Sequence, residues 1–373
     1  MAVDTLALAL ARRIALEGPL TIGAFMTEAL GHPRFGYYMK QDPFGAAGDF
    51  VTAPEVNQMF GELIGLWCAD AWQRMGMPSA IHLIELGPGR GTLMADALRA
   101  AAILPPFRAA LRVHLVETSP ALRERQRATL APFTEPAWHD RLDDVPPGPS
   151  LVIANEFFDA LPIRQVQRTV HGWAERLVDL DPDAPEGEPH FRFVLELGRS
   201  PGRNLVPESL RESPVGSIVE VSPASQAVAR LLGARLAAHG GAALVIDYGY
   251  ADGPAVGDTL QALRQHSFAP VLEAPGDADL TAHVDFATLA VAVRDGGAEA
   301  YGPVPQGDLL LRLGIGQRAQ VLKRTATPKQ AADIDSALER LICDDSMGTL
   351  FKALALSSPG FGPPAGFESP NPT

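Results

Sequence analysis

Ile81-His82-Leu83-Ile84-Glu85-Leu86-Gly87-Pro88-Gly89-Arg90-Gly91-Thr92 reads as a short buried strand that ends on a carboxylate. The chain then turns through three alternate glycines into a predicted helix over Thr92–Ala102. Glycine at these positions lets the backbone turn tightly and lets a ligand lie against it with no Cβ in the way. A dinucleotide site spaces its glycines G-x-G-x-x-G, so that a pyrophosphate meets the helix N-terminus. Here the third glycine comes one residue early, and Glu85 stands two residues before the first.

That difference chooses between ligands. S-adenosylmethionine has no phosphate, and its amino-acid end carries an ammonium that Glu85 can hold directly or through water. The E-x-G-x-G-x-G pattern therefore suits it better than NAD, with Glu85, Gly87, Gly89 and Gly91 as candidate cofactor-binding residues. The plain alternative is a glycine-rich turn with no ligand. The next apolar run, Leu111–Glu117, also ends in a carboxylate, where Glu117 can accept hydrogen bonds from two ribose hydroxyls. Glu117 supports a nucleoside cofactor without choosing which.

Outward from this centre, Ser150–Asn155, Ile218–Val221 and Ala243–Asp247 are further short apolar runs, most of them separated by helical stretches such as Ser119–Ala131. The alternation predicts an α/β fold with a parallel sheet and helical crossovers. Its core is expected over residues 78–165 and 215–353. Arg164–Val170, Ala174–Leu180 and Phe191–Leu197 lie between Pro/Gly/Asp turns and predict an antiparallel insertion over 166–214. Residues 1–77 read as an N-terminal helical and lid segment. Within it, Thr52-Ala53-Pro54-Glu55 has the form of a capping box opening a helix striped by Met59, Phe60, Leu63, Ile64 and Trp67. Residues 357–373, rich in Pro, Gly and Ser, are expected to be disordered.

The string Asn155-Glu156-Phe157-Phe158-Asp159-Ala160-Leu161-Pro162 follows a buried strand directly. Ligands of open α/β sheets bind beyond the carboxyl ends of the strands, so these side chains are placed to meet a methyl acceptor. Glu156 and Asp159 are candidates to grip a cationic acceptor, with Phe157 or Phe158 flanking it. Asn155 is a candidate for both acceptor and cofactor. The bland reading makes the phenylalanines core and the acids helix-start residues.

Composition excludes several other classes. With 31 Lys and Arg against 44 Asp and Glu, the formal charge of −13 repels a nucleic-acid backbone, and no basic cluster offsets it. Arg123–Arg127, the densest basic run, reads as the solvated face of a helix. Two cysteines, Cys68 and Cys343, make neither a metal spacing nor a disulfide framework, and no metal is expected. No apolar run approaches the roughly 18–20 residues of a membrane span. The N-terminus has neither a signal-peptide nor a transit pattern, so a cytoplasmic protein is expected. A homodimer is compatible with the sequence, which does not set the oligomeric state.

The strings Ile22-Gly23-Ala24-Phe25-Met26, His32–Tyr38, Gly48-Asp49-Phe50-Val51-Thr52, Glu85–Thr92, Asn155–Pro162, Leu244–Gly249 and Met347–Lys352 together resemble the MidA-like family. Its best-known members are the mitochondrial complex I assembly-factor arginine methyltransferases. The likeness runs in order from about Ile14 to Lys352. It implies a Rossmann-like class I methyltransferase core, S-adenosylmethionine as donor and an arginine on a complex I subunit as acceptor. It also implies that Gly48, Asp49 and Phe50 close over the cofactor, and that this chain is a bacterial relative. The better-known arginine methyltransferases carry two glutamates on one hairpin loop, whereas here Glu156 and Asp159 share a shorter span. Two alternatives stay open: methylation of another nitrogen, such as a protein glutamine, and a non-catalytic assembly factor that binds the cofactor.

Overall fold

The computed structural model describes residues 5–40, 52–185, 187–196 and 201–368 and divides the chain into two compact units. The larger comprises Val51–Phe158, Ala227–Ala251 and Phe286–Thr373; the smaller comprises Met1–Phe50, Asp159–Gln226 and Asp252–Asp285.

Among the described residues, the larger unit contributes seven strands to its central sheet. They are β1 (Ile81–Leu86), β2 (Leu111–Val116), β3 (Ala137–His139), β4 (Ser150–Asn155), β5 (Gly241–Tyr250), β6 (Glu299–Pro305) and β7 (Phe351–Ser357). All six residues of β4 are buried, as a strand covered by helices on both faces requires. The spatial order is 3-2-1-4-5-7-6. Strands β1 to β5 run parallel, and β7 enters antiparallel between β5 and β6. Register aligns Leu86 with both Val116 and Ala154, and Ile246 with Asn155. The carboxyl ends of β1, β2 and β4 therefore come level with Ile246 of β5, which runs on to Tyr250, and Glu85, Glu117, Asn155 and Asp247 stand near one edge. Helices α1 (Gln58–Arg74), α2 (Thr92–Ala101) and α3 (Pro120–Leu130) belong to the same unit. The α1 stripe of Met59, Phe60, Leu63, Ile64 and Trp67 is buried in its core.

The smaller unit carries the expected antiparallel strands: Arg164–Thr169 pairs with Gly172–Leu180, and that strand pairs with Phe191–Leu195. Helices Leu6–Glu17 and Ile22–Gly31 contribute to its core through Leu10, Ile14, Phe25 and Met26.

Four expectations change. Ile218–Val221 is not a strand of the parallel sheet; it pairs antiparallel with Arg164–Thr169 in the smaller unit. Glu220 explains why. Its carboxylate accepts from the Thr259 and Leu260 N–H groups and from Gln165, donors of the smaller unit that offset the cost of burying it there. Residues 252–285, placed by sequence in the core, likewise belong to the smaller unit. Helix α1, assigned to the N-terminal segment, belongs to the larger one. The expected disordered tail is packed as far as Phe367, which is buried. The Trp67 indole N–H donates to Ala365 O, and Arg74 donates to Pro363 O and Phe361 O, so these backbone acceptors are satisfied by helix side chains.

Candidate active site

The turn after β1 is made by left-handed backbone. Gly87, Gly89 and Gly91 have φ of 61°, 52° and 80°, and Gly91 serves as N-cap of α2. A Cβ added at Gly87 would also stand 3.0 Å from the Phe157 ring, so this position excludes a side chain twice over. Glu85, at the end of β1, is 3% exposed. Its Oε2 has no hydrogen-bond partner among the described residues. Burial pushes its carboxyl up to about 8, and its charge helps raise the buried Cys68 thiol. A buried carboxylate left this way is compensated by a cation, and an ammonium is one.

Glu117, at the end of β2, is also buried but held differently. Its Oε1 accepts from the Ser119 N–H (2.8 Å) and its Oε2 from Gln126 Nε2 (3.2 Å). Burial raises its carboxyl while these bonds pull the other way. The Thr118 backbone also donates to this carboxylate, and its remaining acceptor capacity suits a ribose hydroxyl.

The turn after β4 is fixed from β5. The Glu156 N–H donates to Ile246 O (2.9 Å). Asp247 Oδ2 accepts from the N–H groups of Phe157 (3.2 Å) and Phe158 (2.9 Å), and its Oδ1 from Tyr248 N–H. This bracing holds Glu156 at φ 49°, a conformation that costs a non-glycine residue energy and recurs at functional turns. Glu156 Oε1 accepts from Ala53 N–H (3.2 Å) and Asn155 Nδ2 (3.1 Å), while Asn155 Oδ1 is buried without a partner among the described residues.

That contact revises the capping box. Thr52 makes no side-chain cap to the one-turn helix Ala53–Val56; the Glu156 carboxylate takes the Ala53 N–H instead. Asn57 then breaks the helix and caps α1 through Met59 N–H (3.0 Å). Glu55 is turned toward Thr92 and Arg90 beside the glycine turn.

Of the residues singled out by sequence, Glu85, Gly87, Gly89, Gly91, Glu117, Asn155 and Glu156 lie at the strand ends of the larger unit. Asp159 begins the next stretch of the smaller unit, buried, where burial, then Asp279 and Asp159, raise the Tyr38 hydroxyl. Gly48, Asp49 and Phe50 lie outside the described residues. Phe158 is core at 3% exposure, which removes it as a flank for an acceptor. Sequence reading missed Asp247 and Gln126. Asp247 had a signal, a carboxylate closing an apolar run; Gln126 had none, lying inside the charged run Arg123–Arg127.

A 3-2-1-4-5-7-6 sheet with an acidic residue and three glycines after its first strand defines a Rossmann-like S-adenosylmethionine-dependent methyltransferase. Comparisons with known proteins agree. Residues 63–304 match the family described as "Putative S-adenosyl-L-methionine-dependent methyltransferase". The mitochondrial protein arginine methyltransferase NDUFAF7 of Danio rerio is 39% identical over 92% of this chain and 84% of its own length. The human protein of that name is 37% identical over 92% of this chain and 81% of its own. The structure of a methyl-transferase-like superfamily member from Burkholderia thailandensis, bound to S-adenosyl-homocysteine, superposes with a TM-score of 0.82 at 28% identity, over 98% of this chain and 92% of that one. The chain belongs to the family of the NDUFAF7 protein arginine methyltransferases.

Proposed function

We propose that this methyltransferase modifies an arginine on a complex I subunit, with Glu156 directing the acceptor guanidinium. The observation that carries the reading is Glu156 itself: a carboxylate at the end of β4, held in a strained turn by Asp247 and Ile246, level with the cofactor strands. The family relatives named as arginine methyltransferases supply the acceptor class.

The residues suit S-adenosylmethionine, which supplies a methyl group already activated on a sulfonium. Glu85 would hold its ammonium and Glu117 its ribose hydroxyls, over the Gly87–Gly91 turn. What remains for the protein is alignment and electrostatics. A guanidinium titrates above about 12, and its delocalised charge leaves its nitrogens poor nucleophiles. A carboxylate beside it localises the charge away from the attacking nitrogen and fixes that nitrogen's direction. The Ala53 N–H and Asn155 amide hold Glu156 in a set orientation for this. We assign the positioning to Glu156 and Asn155, and propose Asp159 as a further acidic residue of the sequence motif that acts on the acceptor. The two free cysteines suit a reducing compartment, and we place the activity in the cytoplasm.

Mass spectrometry of complex I subunits from cells with and without the protein tests the acceptor. A methylarginine lost on deletion and restored by wild type is expected. Methyl found on glutamine, or no change in methylation, overturns the assignment.

A further inference from the structure

Gln126 sits on α3 amid Arg123, Glu124, Arg125 and Arg127, yet it is fully buried. Both ends of its amide are hydrogen-bonded. Trp138 Nε1–H donates to Gln126 Oε1 (2.8 Å), which fixes the orientation of the amide, since an indole N–H only donates. The amide nitrogen is thereby turned to two acceptors: Gly89 O in the glycine turn (2.8 Å) and Glu117 Oε2 (3.2 Å). Gln126 also packs beneath the turn, where a Cβ added at Gly91 would stand 3.5 Å from its Cα. A core glutamine serving only to fill space would be a poor choice, because a buried amide costs free energy unless every bond is made.

We propose that Gln126 is a positioning residue for the nucleoside end of the cofactor site. By donating to Glu117 and Gly89 together, it aims the carboxylate at the ribose hydroxyls and ties it to the glycine turn. Trp138 is the second member of this relay. The inference rests on Glu117 as the ribose acceptor, and it adds the residues that make Glu117 competent.

The test is titration calorimetry of S-adenosylhomocysteine and its 2′,3′-dideoxy analogue against wild type, Gln126→Met and Trp138→Phe. Gln126→Met keeps the volume and removes both donors. It is expected to weaken S-adenosylhomocysteine about tenfold and the analogue less than about threefold, because only the former uses the ribose bonds. Trp138→Phe leaves Gln126 in place and frees its amide to rotate, giving a loss of the same kind and about threefold. It carries the comparison alone if melting curves show Gln126→Met unfolded. Equal losses for both ligands, or no loss for either, overturn the inference while leaving the cofactor reading intact. A wild type that does not bind S-adenosylhomocysteine overturns both.

Discussion

The ends of β1 and β2 carry the same side chain, buried in both cases, on adjacent strands, and folding treats them in different ways. Glu117 is tethered on both oxygens by its own chain. Glu85 keeps a buried oxygen with no partner among the described residues, and its carboxyl is pushed up to about 8. The chemistry of the ligand ends accounts for the difference. A ribose hydroxyl is neutral and cannot compensate a buried charge, so an acid that receives it must be stabilised by the protein. An ammonium compensates the charge itself, so an acid that receives it can be left costly until the cofactor arrives. The end of β4 is a third case: Glu156 is held by the Ala53 N–H at the start of a helical turn, with a shape imposed by Asp247.

The largest expected effect separates the turn from its acids. Gly87→Val puts a branched side chain at φ 61° and against the Phe157 ring. Donor affinity should fall by about a hundredfold or more while circular dichroism stays native. Normal binding in calorimetry would make the glycine turn structural and detach both acids from a cofactor.

Glu156→Gln keeps shape and removes charge. Methyl incorporation into the purified acceptor subunit should fall about a hundredfold with donor affinity nearly unchanged, since the charge acts mainly as the methyl transfers. Wild-type turnover would assign the β4 end to structure.

Glu117→Ala should weaken the donor more than about tenfold, two charge-assisted bonds to a ribose being worth about 1.5–3 kcal/mol each. It should also lower the melting temperature, because Ser119 N–H and Gln126 lose their acceptor. An unchanged dissociation constant removes Glu117 from the site.

The smallest effect sharpens the contrast most directly. A carboxyl raised in the folded state favours folding fully below its unfolded value near 4.5, and that contribution is lost as pH rises through about 8. The free protein should therefore lose part of its melting temperature over that window, about 2–4 °C per kcal/mol for a unit of this size. Glu85→Gln should flatten that slope. Cofactor binding near pH 7 should release protons from wild type and not from Glu85→Gln, read as a buffer-dependent enthalpy in calorimetry. Identical slopes in the two proteins would mean Glu85 is already compensated.

The sequence by itself determined the parts of this protein whose physics is local. Glu85, the three glycines and the helix start at Thr92 lie within eight residues. A turn through left-handed backbone leaves its requirement written in consecutive positions, and the apolar runs ending at Glu117 and Asn155 announce themselves by period and length. Only the tertiary structure decided which polar groups meet across the chain. Gln126 looks solvated because its neighbours are charged, and only the approach of Trp138 and the glycine turn makes it a buried donor. Glu156 caps a helix 103 residues away, which no spacing rule anticipates. The Ile218–Val221 strand chose its sheet by the partners of Glu220 rather than by its own hydrophobicity. The tail is ordered by acceptors it offers to Trp67 and Arg74, nearly 300 residues earlier in sequence. Backbone conformation is set by a residue and its neighbours, whereas the cost of burying a polar group depends on which distant group arrives to bond it.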